Sequence, residues 1–173
     1  MSDHRVFTIE PAARDHLDSL AEVERAASSL FSPDDLPPHL RSETLPRETL
    51  ERAQREGRVW VALGQSGAVA GFAMTDIIDG CAHLGVMGVD PAHARRGVGT
   101  ALLDRALEWA TSRGLPAMVL TTFSHLPWNA PFYAREGFRE ITSAGIGPEL
   151  AEILREEAAI GLRNRIAMKR DIP

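Results

Sequence analysis

The stretch that decides the fold joins a strand to a helix through a glycine turn, and over residues 89–103 it reads VDPAHARRGVGTALL. Asp90-Pro91 ends an apolar strand, and the apolar residues after Gly99 recur at helical spacing to about Gly114. The backbone N–H groups at the start of a helix attract anions, and glycines allow that backbone to approach them closely. The stretch therefore predicts an anion-binding turn, with a tight turn carrying two solvated arginines as the alternative.

Two other phosphate-binding motifs do not fit this turn. A dinucleotide-binding fingerprint requires a third glycine three residues after Gly99, where the chain has Leu102. A P-loop requires Gly-Lys-Ser/Thr, whereas Gly99 is followed by Thr100 and Ala101. Neither nucleotide-binding motif therefore explains the turn.

Outward from the turn, strand-like and helix-like segments follow one another along the chain. Antiparallel strands followed by strand–helix alternation indicate an α/β fold with a mixed sheet, and 173 residues without a long linker indicate one domain, 1–173. Strands are predicted at about residues 6–9, 58–63, 68–76, 82–89, 117–122, 138–142 and 162–169, and helices from Leu17 onward and at about 46–56, 100–114, 128–136 and 148–159.

Composition and charge argue against several classes of protein. A net charge of -5 and a pI near 5.7 give no basic face for nucleic acid. No apolar run approaches the roughly 20 residues that a membrane span needs, and residues 1–5 lack the apolar stretch of a signal peptide, so a cytoplasmic location is expected. The single Cys81 excludes an internal disulfide, and the scattered histidines predict no metal site.

At residues 94–99 the turn resembles motif A of the GCN5-related N-acetyltransferase (GNAT) family. In that family a strand, a turn Gln/Arg-x-x-Gly-x-Gly/Ala and a helix hold coenzyme A. The first motif position is Ala94 in this chain, so one side-chain contact is lost. The family binds the pyrophosphate largely through main-chain amides, which alanine also provides, so the resemblance still implies a coenzyme site.

Residues 121–138 resemble the family's later motif, in which an Asn is followed four positions on by a Tyr and then by Gly-Phe. Asn129 and Tyr133 match it, and side chains four residues apart on a helix face the same way. The resemblance implies that Asn129 holds the pantetheine arm and that Tyr133 protonates the leaving thiolate. The structural alternatives are an N-cap or turn role for Asn129 and core packing for Tyr133.

The resemblance implies a mixed, largely antiparallel central sheet flanked by helices, and acetyl-CoA as the cosubstrate without a metal. It implies transfer of the acetyl group to a primary amine, on a small molecule or a peptide, by direct attack. The rival hypothesis is a non-catalytic acyl-CoA-binding sensor, and a homodimer stays open. The implied coenzyme site consists of Met87, Val89, Arg95, Arg96, Gly97, Val98, Gly99, Thr100 and Asn129.

The general base is harder to assign than the acid. Many family members carry Glu on the strand that enters motif A, but strand 82–89 has no carboxylate. His83 stands six residues before Val89, where some members place their base, and an imidazole suits proton transfer at neutral pH. A solvent-facing strand histidine is the alternative. Gly85 and Gly88 in the same strand indicate a bulge or a close backbone approach.

Three residues outside the motifs are candidates for the acceptor site. Glu24 lies on an otherwise apolar helical face, and its alternative is solvation at a helix end. Phe31 lies in segment 28–56, which is predicted to be a surface flap, and its alternative is core packing. His125 precedes Asn129, and its alternative is a place on a loop surface.

Overall fold

A computed structural model describes residues 6–173, so residues 1–5, on which the signal-peptide expectation rests, lie outside the described residues. Its strands are β1 (Phe7–Pro11), β2 (Val59–Gly64), β3 (Val69–Ile78), β4 (Cys81–Val89), β5 (Ala117–Phe123), β6 (Arg139–Glu140) and β7 (Arg165–Asp171). They form a seven-stranded sheet in the order β1-β2-β3-β4-β5-β7-β6. The pairs β1/β2, β2/β3, β5/β7 and β6/β7 are antiparallel, whereas β4/β5 is parallel. The predicted mixed, largely antiparallel sheet is therefore confirmed.

Five α-helices are found in the described part of the chain, with short 3₁₀ turns between them. None of these helices is both long enough and apolar enough to cross a membrane. The helices are α1 (Leu17–Ser28), α2 (Arg47–Arg55), α3 (Val98–Ser112), α4 (Ala130–Arg135) and α5 (Pro148–Ala159), and the 3₁₀ turns are Arg14–His16, Pro38–Leu40, Pro91–His93 and Ser143–Gly145.

The contacts within the chain define two compact units. The first comprises the described residues up to Thr75 together with Val86–Ala106. The second comprises Asp76–Gly85 together with Leu107–Pro173. The assignment of the chain to one domain stays a prediction.

In the first unit, α1 and α2 bury their apolar faces against β2 and β3. The helical spacing from Leu17 is confirmed, because Leu17, Leu20 and Val23 are all buried on one face of α1. Burial of such side chains is worth about 1.5–3 kcal/mol each, so this layer supplies much of the unit's stability. The buried cluster contains Ala12, Leu17, Leu20, Val23, Leu50, Ala53, Val59, Val61, Phe72 and Met74.

A glycine in β3 lets the first turn of α3 lie directly on the strand. A Cβ atom at Gly71 would come within 2.9 Å of the Gly88 carbonyl oxygen and 3.2 Å of side-chain carbons of Val98 and Leu102. Such distances are shorter than ordinary carbon contacts, so only glycine fits without a shift. Gly88 itself has ordinary space, because its nearest neighbours lie 3.8 Å from an added Cβ. The glycine that a close approach requires is therefore Gly71, which the sequence patterns did not single out.

In the second unit, the β3–β4 turn caps a helix from a distant part of the chain. Helix α5 has Gly147 at its N-cap, which has no side chain to accept the first amides. The Asp79 carboxylate takes that role, accepting the N–H groups of Glu149 at 3.0 Å and Leu150 at 2.9 Å. The Asp79 N–H in turn donates to the Glu149 carboxylate. The start of α5 is therefore bonded to a turn 70 residues earlier in the chain.

We expect Asp79→Ala to lower the free energy of unfolding by about 1–2 kcal/mol, the usual cost of losing a helix cap. Gly147→Ala should have a similar effect, because its Cβ would meet the Asp79 carboxyl carbon at 2.3 Å and displace it. Gly145→Ala is the matched control in the same loop, since its nearest neighbours lie at 3.6 Å. Urea unfolding of the three variants measures these differences, and equal stability of Gly145→Ala and Gly147→Ala would contradict the cap.

We expect Gly71→Ala to cost about 1–3 kcal/mol of stability, because the new methyl group forces α3 or the Gly88 carbonyl to move. Gly88→Ala, in the facing strand, should cost distinctly less, since its methyl group meets only ordinary contacts. Urea unfolding tests the pair directly. A larger loss for Gly88→Ala than for Gly71→Ala would show that the close approach lies elsewhere.

Candidate functional site

The turn that precedes α3 has the backbone of an anion-binding concavity. Arg95 has φ 60° and Gly97 has φ 78°, so two residues close together are in the left-handed region. Backbone of this kind turns successive N–H groups toward a common side. The Ala101 N–H donates to the Gly97 carbonyl at 3.0 Å, which closes the first turn of α3. The first amides of a helix generally lack an acceptor inside the helix, so a helix start and its dipole favour an anion nearby.

The side chains of the turn divide into an exposed charged part and a buried anchor. Arg95 and Arg96 are exposed, as the solvated-arginine alternative also requires. Val98 is buried at 2% exposure, which holds the helix start against the sheet. A left-handed conformation is uncommon for a residue with a side chain, and such residues cluster at functional sites. The conformation of Arg95 therefore favours a binding role for this backbone.

The coenzyme candidates next to the turn are all partly buried. Met87 and Val89 lie on the last part of β4, and Gly99 and Thr100 lie in the first turn of α3. Ala94 is extended and exposed, so its methyl group leaves the main chain accessible. These residues are accessible enough to contact a ligand, and their roles remain predictions.

Glu24 is engaged within the first unit. It lies half-buried on α1, and its Oε2 accepts the Leu45 N–H at 3.0 Å. Burial raises the pKa of this carboxyl, while the hydrogen bond from Leu45 and the charge of Arg25 act in the opposite direction. The alternative of simple helix-end solvation is therefore wrong, because the carboxylate ties α1 to the segment that follows it.

Phe31 lies in the connecting segment between α1 and α2. Its ring is half-buried, so full core packing does not describe it. Its carbonyl oxygen accepts the Arg41 guanidinium, which also donates to the Leu36 carbonyl at 3.3 Å. Arg41 therefore orders the part of the segment that carries Phe31.

In the second unit, Asn129 and Tyr133 lie one helical turn apart at α4. Asn129 stands at the N-cap, but its side chain makes no cap bond; Nδ2 donates instead to the Trp128 carbonyl at 3.1 Å. Its own carbonyl accepts the Tyr133 N–H at 3.0 Å. Asn129 therefore occupies the N-cap position of α4, but its side chain accepts no hydrogen bond from the first amides of the helix.

Tyr133 is a buried phenol in an aromatic environment. It is 9% exposed, and its ring makes edge contacts with Phe132 at 5.1 Å and Phe138 at 5.7 Å between centroids. Burial raises the pKa of the Tyr133 phenol, and the positive charge of Arg165 opposes that shift. The hydroxyl therefore keeps its proton at neutral pH and above.

His83 is half-buried on β4, so the solvent-facing alternative is wrong. It lies beside Val119 of β5 in the parallel pair. Removal from water lowers the pKa of His83, and the charges of Asp76 and Glu157 act in the opposite direction. The imidazole is therefore neutral at pH 7 and can accept a proton. His125 lies exposed after β5, with its ring centroid 6.2 Å from that of Phe123 and the two rings perpendicular.

The sequence patterns missed one polar cluster in the second unit. It joins Thr121 of β5, Glu157 of α5 and Arg165 of β7 by hydrogen bonds. No local motif marks these residues, because the register of β5 against β7 brings them together. Among residues 6–173, no group of three His, Cys, Asp or Glu side chains is placed to hold a metal ion.

Comparison with known proteins connects this geometry to a family. The model of the acetyltransferase (GNAT) family matches residues 21–138. That range includes the glycine turn, His83, Asn129 and Tyr133.

Two curated relatives and one solved structure extend the comparison. Mycothiol acetyltransferase of Clavibacter michiganensis subsp. michiganensis is 37% identical over 83 residues, 46% of this chain and 26% of that protein. The [ribosomal protein bS18]-alanine N-acetyltransferase of Escherichia coli (strain K12) is 30% identical over 95 residues, 55% of this chain and 64% of that protein. The chain thus matches less than two thirds of either relative. The PaiA N-acetyltransferase of Thermoplasma acidophilum, solved with coenzyme A, shares the fold with a TM-score of 0.69 and 19% identity, over 99% of both chains.

Proposed function

The chain belongs to the acetyltransferase (GNAT) family, and on that premise we propose that it transfers an acetyl group from acetyl-CoA to a primary amine. The observation that carries the proposal is Tyr133, a buried phenol that keeps its proton and lies one helical turn after Asn129. A relative named for the N-acetylation of an alanine in a ribosomal protein supports an amine acceptor.

On the coenzyme side, the proposal places the pyrophosphate on the main chain of residues 95–100. The left-handed Arg95 and Gly97 supply a backbone concavity, and two exposed guanidinium groups add positive charge. Asn129 would hold the pantetheine arm from the N-cap of α4, and the main chain at Met87 and Val89 would pair with that arm as an added strand does.

The proposed reaction needs three proton transfers and no covalent enzyme intermediate. The acceptor ammonium gives a proton to the neutral His83 imidazole, and the freed lone pair attacks the thioester carbonyl carbon. The C–N bond forms, the C–S bond breaks, and the thiolate takes the hydroxyl proton of Tyr133. The new amide nitrogen then loses its second proton, which restores the Tyr133 phenol directly or through water, and His83 releases its proton to solvent.

The acceptor is proposed to be a small-molecule or peptide amine. Glu24, Phe31 and His125 remain candidates for its site. Glu24 and Phe31 belong to an ordered segment of the first unit, and His125 is an exposed imidazole of the second. A carboxylate suits a cationic group of an acceptor, an aromatic ring suits an apolar group, and an imidazole suits a hydrogen-bonding group.

Two substitutions of Arg95 distinguish binding of coenzyme A by the main chain from binding by the side chain. Arg95→Gly keeps the left-handed backbone and should weaken coenzyme A binding less than about fivefold, the effect of one exposed charge. Arg95→Val should weaken it about tenfold or more, because a β-branched side chain is much more strongly disfavoured than arginine in a left-handed backbone. Calorimetric titration with coenzyme A measures both. An equal loss of coenzyme A affinity in the two variants would show that the guanidinium group binds the coenzyme instead.

We expect Tyr133→Phe to lower kcat by about 10²–10⁴-fold, the usual contribution of a general acid, with coenzyme A affinity nearly unchanged. Release of the coenzyme thiol, measured with a panel of amines and peptides, gives the rate. Because burial raises the pKa of Tyr133 above its ordinary value near 10, its ionisation should cause no loss of rate below about pH 10.

Full activity of the Tyr133→Phe variant would remove the phenol from the mechanism. Tight binding of coenzyme A without thiol release on any amine or peptide would favour the rival hypothesis, a non-catalytic acyl-CoA-binding sensor.

A further inference from the structure

The second unit contains a largely buried ion pair between α5 and β7. Glu157 and Arg165 are 15% and 17% exposed at their side chains. The Arg165 Nε donates to Glu157 Oε2 at 2.9 Å, and Nη2 donates to Oε1 at 2.9 Å. Two parallel bonds of this kind fix the carboxylate in position as well as in charge.

Thr121 and Phe123 of β5 hold the same pair from a third element. The Thr121 hydroxyl donates to Glu157 Oε1 at 2.6 Å and accepts Arg165 Nη2 at 3.2 Å. The Arg165 guanidinium carbon lies 4.5 Å from the centre of the Phe123 ring. A buried ion pair adds little net stability on its own, because both charges lose water. Stability alone therefore does not account for this ordered ion pair, and a functional role is expected.

The pair lies on the face of the sheet that carries His83. His83 is paired with Val119, and side chains two residues apart in a strand share a face, so His83, Val119 and Thr121 point the same way. Val119 packs in a buried cluster with Leu150 of α5, the helix that also carries Glu157. His83 and the Glu157 carboxylate are therefore on the same side of β4 and β5.

Two carboxylates act on His83 through their charge. They are Asp76 of β3 and Glu157 of α5, and both oppose the fall in its pKa. Arg165 of β7 is bonded to Glu157 and partly compensates its charge. Glu157 is the largely buried carboxylate of the two, whereas Asp76 is exposed and its charge is more strongly screened by solvent.

We propose that Glu157, held by Arg165 and Thr121, is a positioning residue that faces His83 and stabilises the imidazolium formed when the acceptor amine loses its proton. In that step an N–H bond of the acceptor ammonium breaks and an N–H bond on His83 forms, so the enzyme gains one positive charge beside a fixed carboxylate. The inference rests on the proposed function. It supplies from α5 the carboxylate that strand 82–89 lacks.

The test compares two substitutions that must act in opposite directions. Glu157→Gln removes a negative charge and should lower the pKa of His83, whereas Arg165→Met removes a positive charge and should raise it. The shift for Glu157→Gln should be up to roughly one pH unit, the order expected for a nearby unit charge in a medium of intermediate dielectric, and the shift for Arg165→Met should be smaller. NMR titration of the imidazole signals in the full chain without substrate measures the shifts, with His83→Gln to assign the signal.

Two further variants control for structural effects. Glu152→Gln removes a carboxylate from the same helix, where Glu152 pairs with Arg155 in an exposed position, and should leave the titration of His83 unchanged. The double variant Glu157→Gln/Arg165→Met removes both charges and should return the pKa of His83 toward the wild-type value. It also tests the proposal if Arg165→Met alone does not fold.

The pH dependence of kcat/KM separates this inference from the proposed function. The base must be neutral to accept a proton, so kcat/KM rises as the pH passes upward through the pKa of His83. Glu157→Gln should move this acid limb of the profile to lower pH, and Arg165→Met should move it to higher pH. Opposite shifts in both titration and rate support the inference. An unmoved His83 titration overturns it but leaves the proposed function standing. A moved titration with an unmoved rate limb overturns His83 as the base, and the positioning role with it.

Discussion

The contact between two strands and a helix at Gly71 controls where the anion-binding turn lies. Because Gly71 has no Cβ, the Gly88 carbonyl and the side chains of Val98 and Leu102 can close on β3 at contact distance. The start of α3 is thereby fixed against the sheet, and the N–H groups of the turn are fixed with it. A site that works through main-chain amides needs this kind of rigid support, because backbone cannot adjust by a rotamer change. The proposed binding of coenzyme A by these amides therefore does not depend on the side chain at Ala94.

In the second unit, burial shifts the pKa values of two side chains in opposite directions. Burial disfavours the charged form of any ionisable group. For Tyr133 this raises the pKa, so the phenol holds its proton. For His83 it lowers the pKa, so the imidazole lacks one. At neutral pH the unit therefore contains a protonated phenol and a neutral imidazole, which are the states that the proposed reaction needs. Glu157 limits how far burial can depress the basicity of His83.

Element prediction was accurate where local signals define both ends of a segment. Helix α5 runs from Pro148 to Ala159 as the sequence predicts, since proline suits the first turn of a helix and Gly161 follows its end. Prediction was poorer where pairing decides the length. Strand β6 has two residues instead of five, because the ladder with β7 includes only Arg139 and Glu140, although the Ile141 N–H still donates to the Ala167 carbonyl at 3.0 Å. The glycines were predicted only in part: the pattern in β4 indicated a bulge or a close approach at Gly85 and Gly88, and the Gly88 carbonyl does lie close to Gly71 of the neighbouring strand, but the pattern did not indicate that Gly71 is the residue that must lack a Cβ.

What the sequence determined by itself is local: the glycine turn, the start of α3, and the spacing of Asn129 and Tyr133. These groups lie within a few residues of each other, so the backbone geometry of one turn or one helix already places them. Tertiary structure alone decided the cap of α5 by Asp79, 70 residues away, and the meeting of Thr121 with Glu157 and Arg165, 36 and 44 residues away. Strand register and helix packing bring such groups together, and neither leaves a pattern in a single segment of sequence.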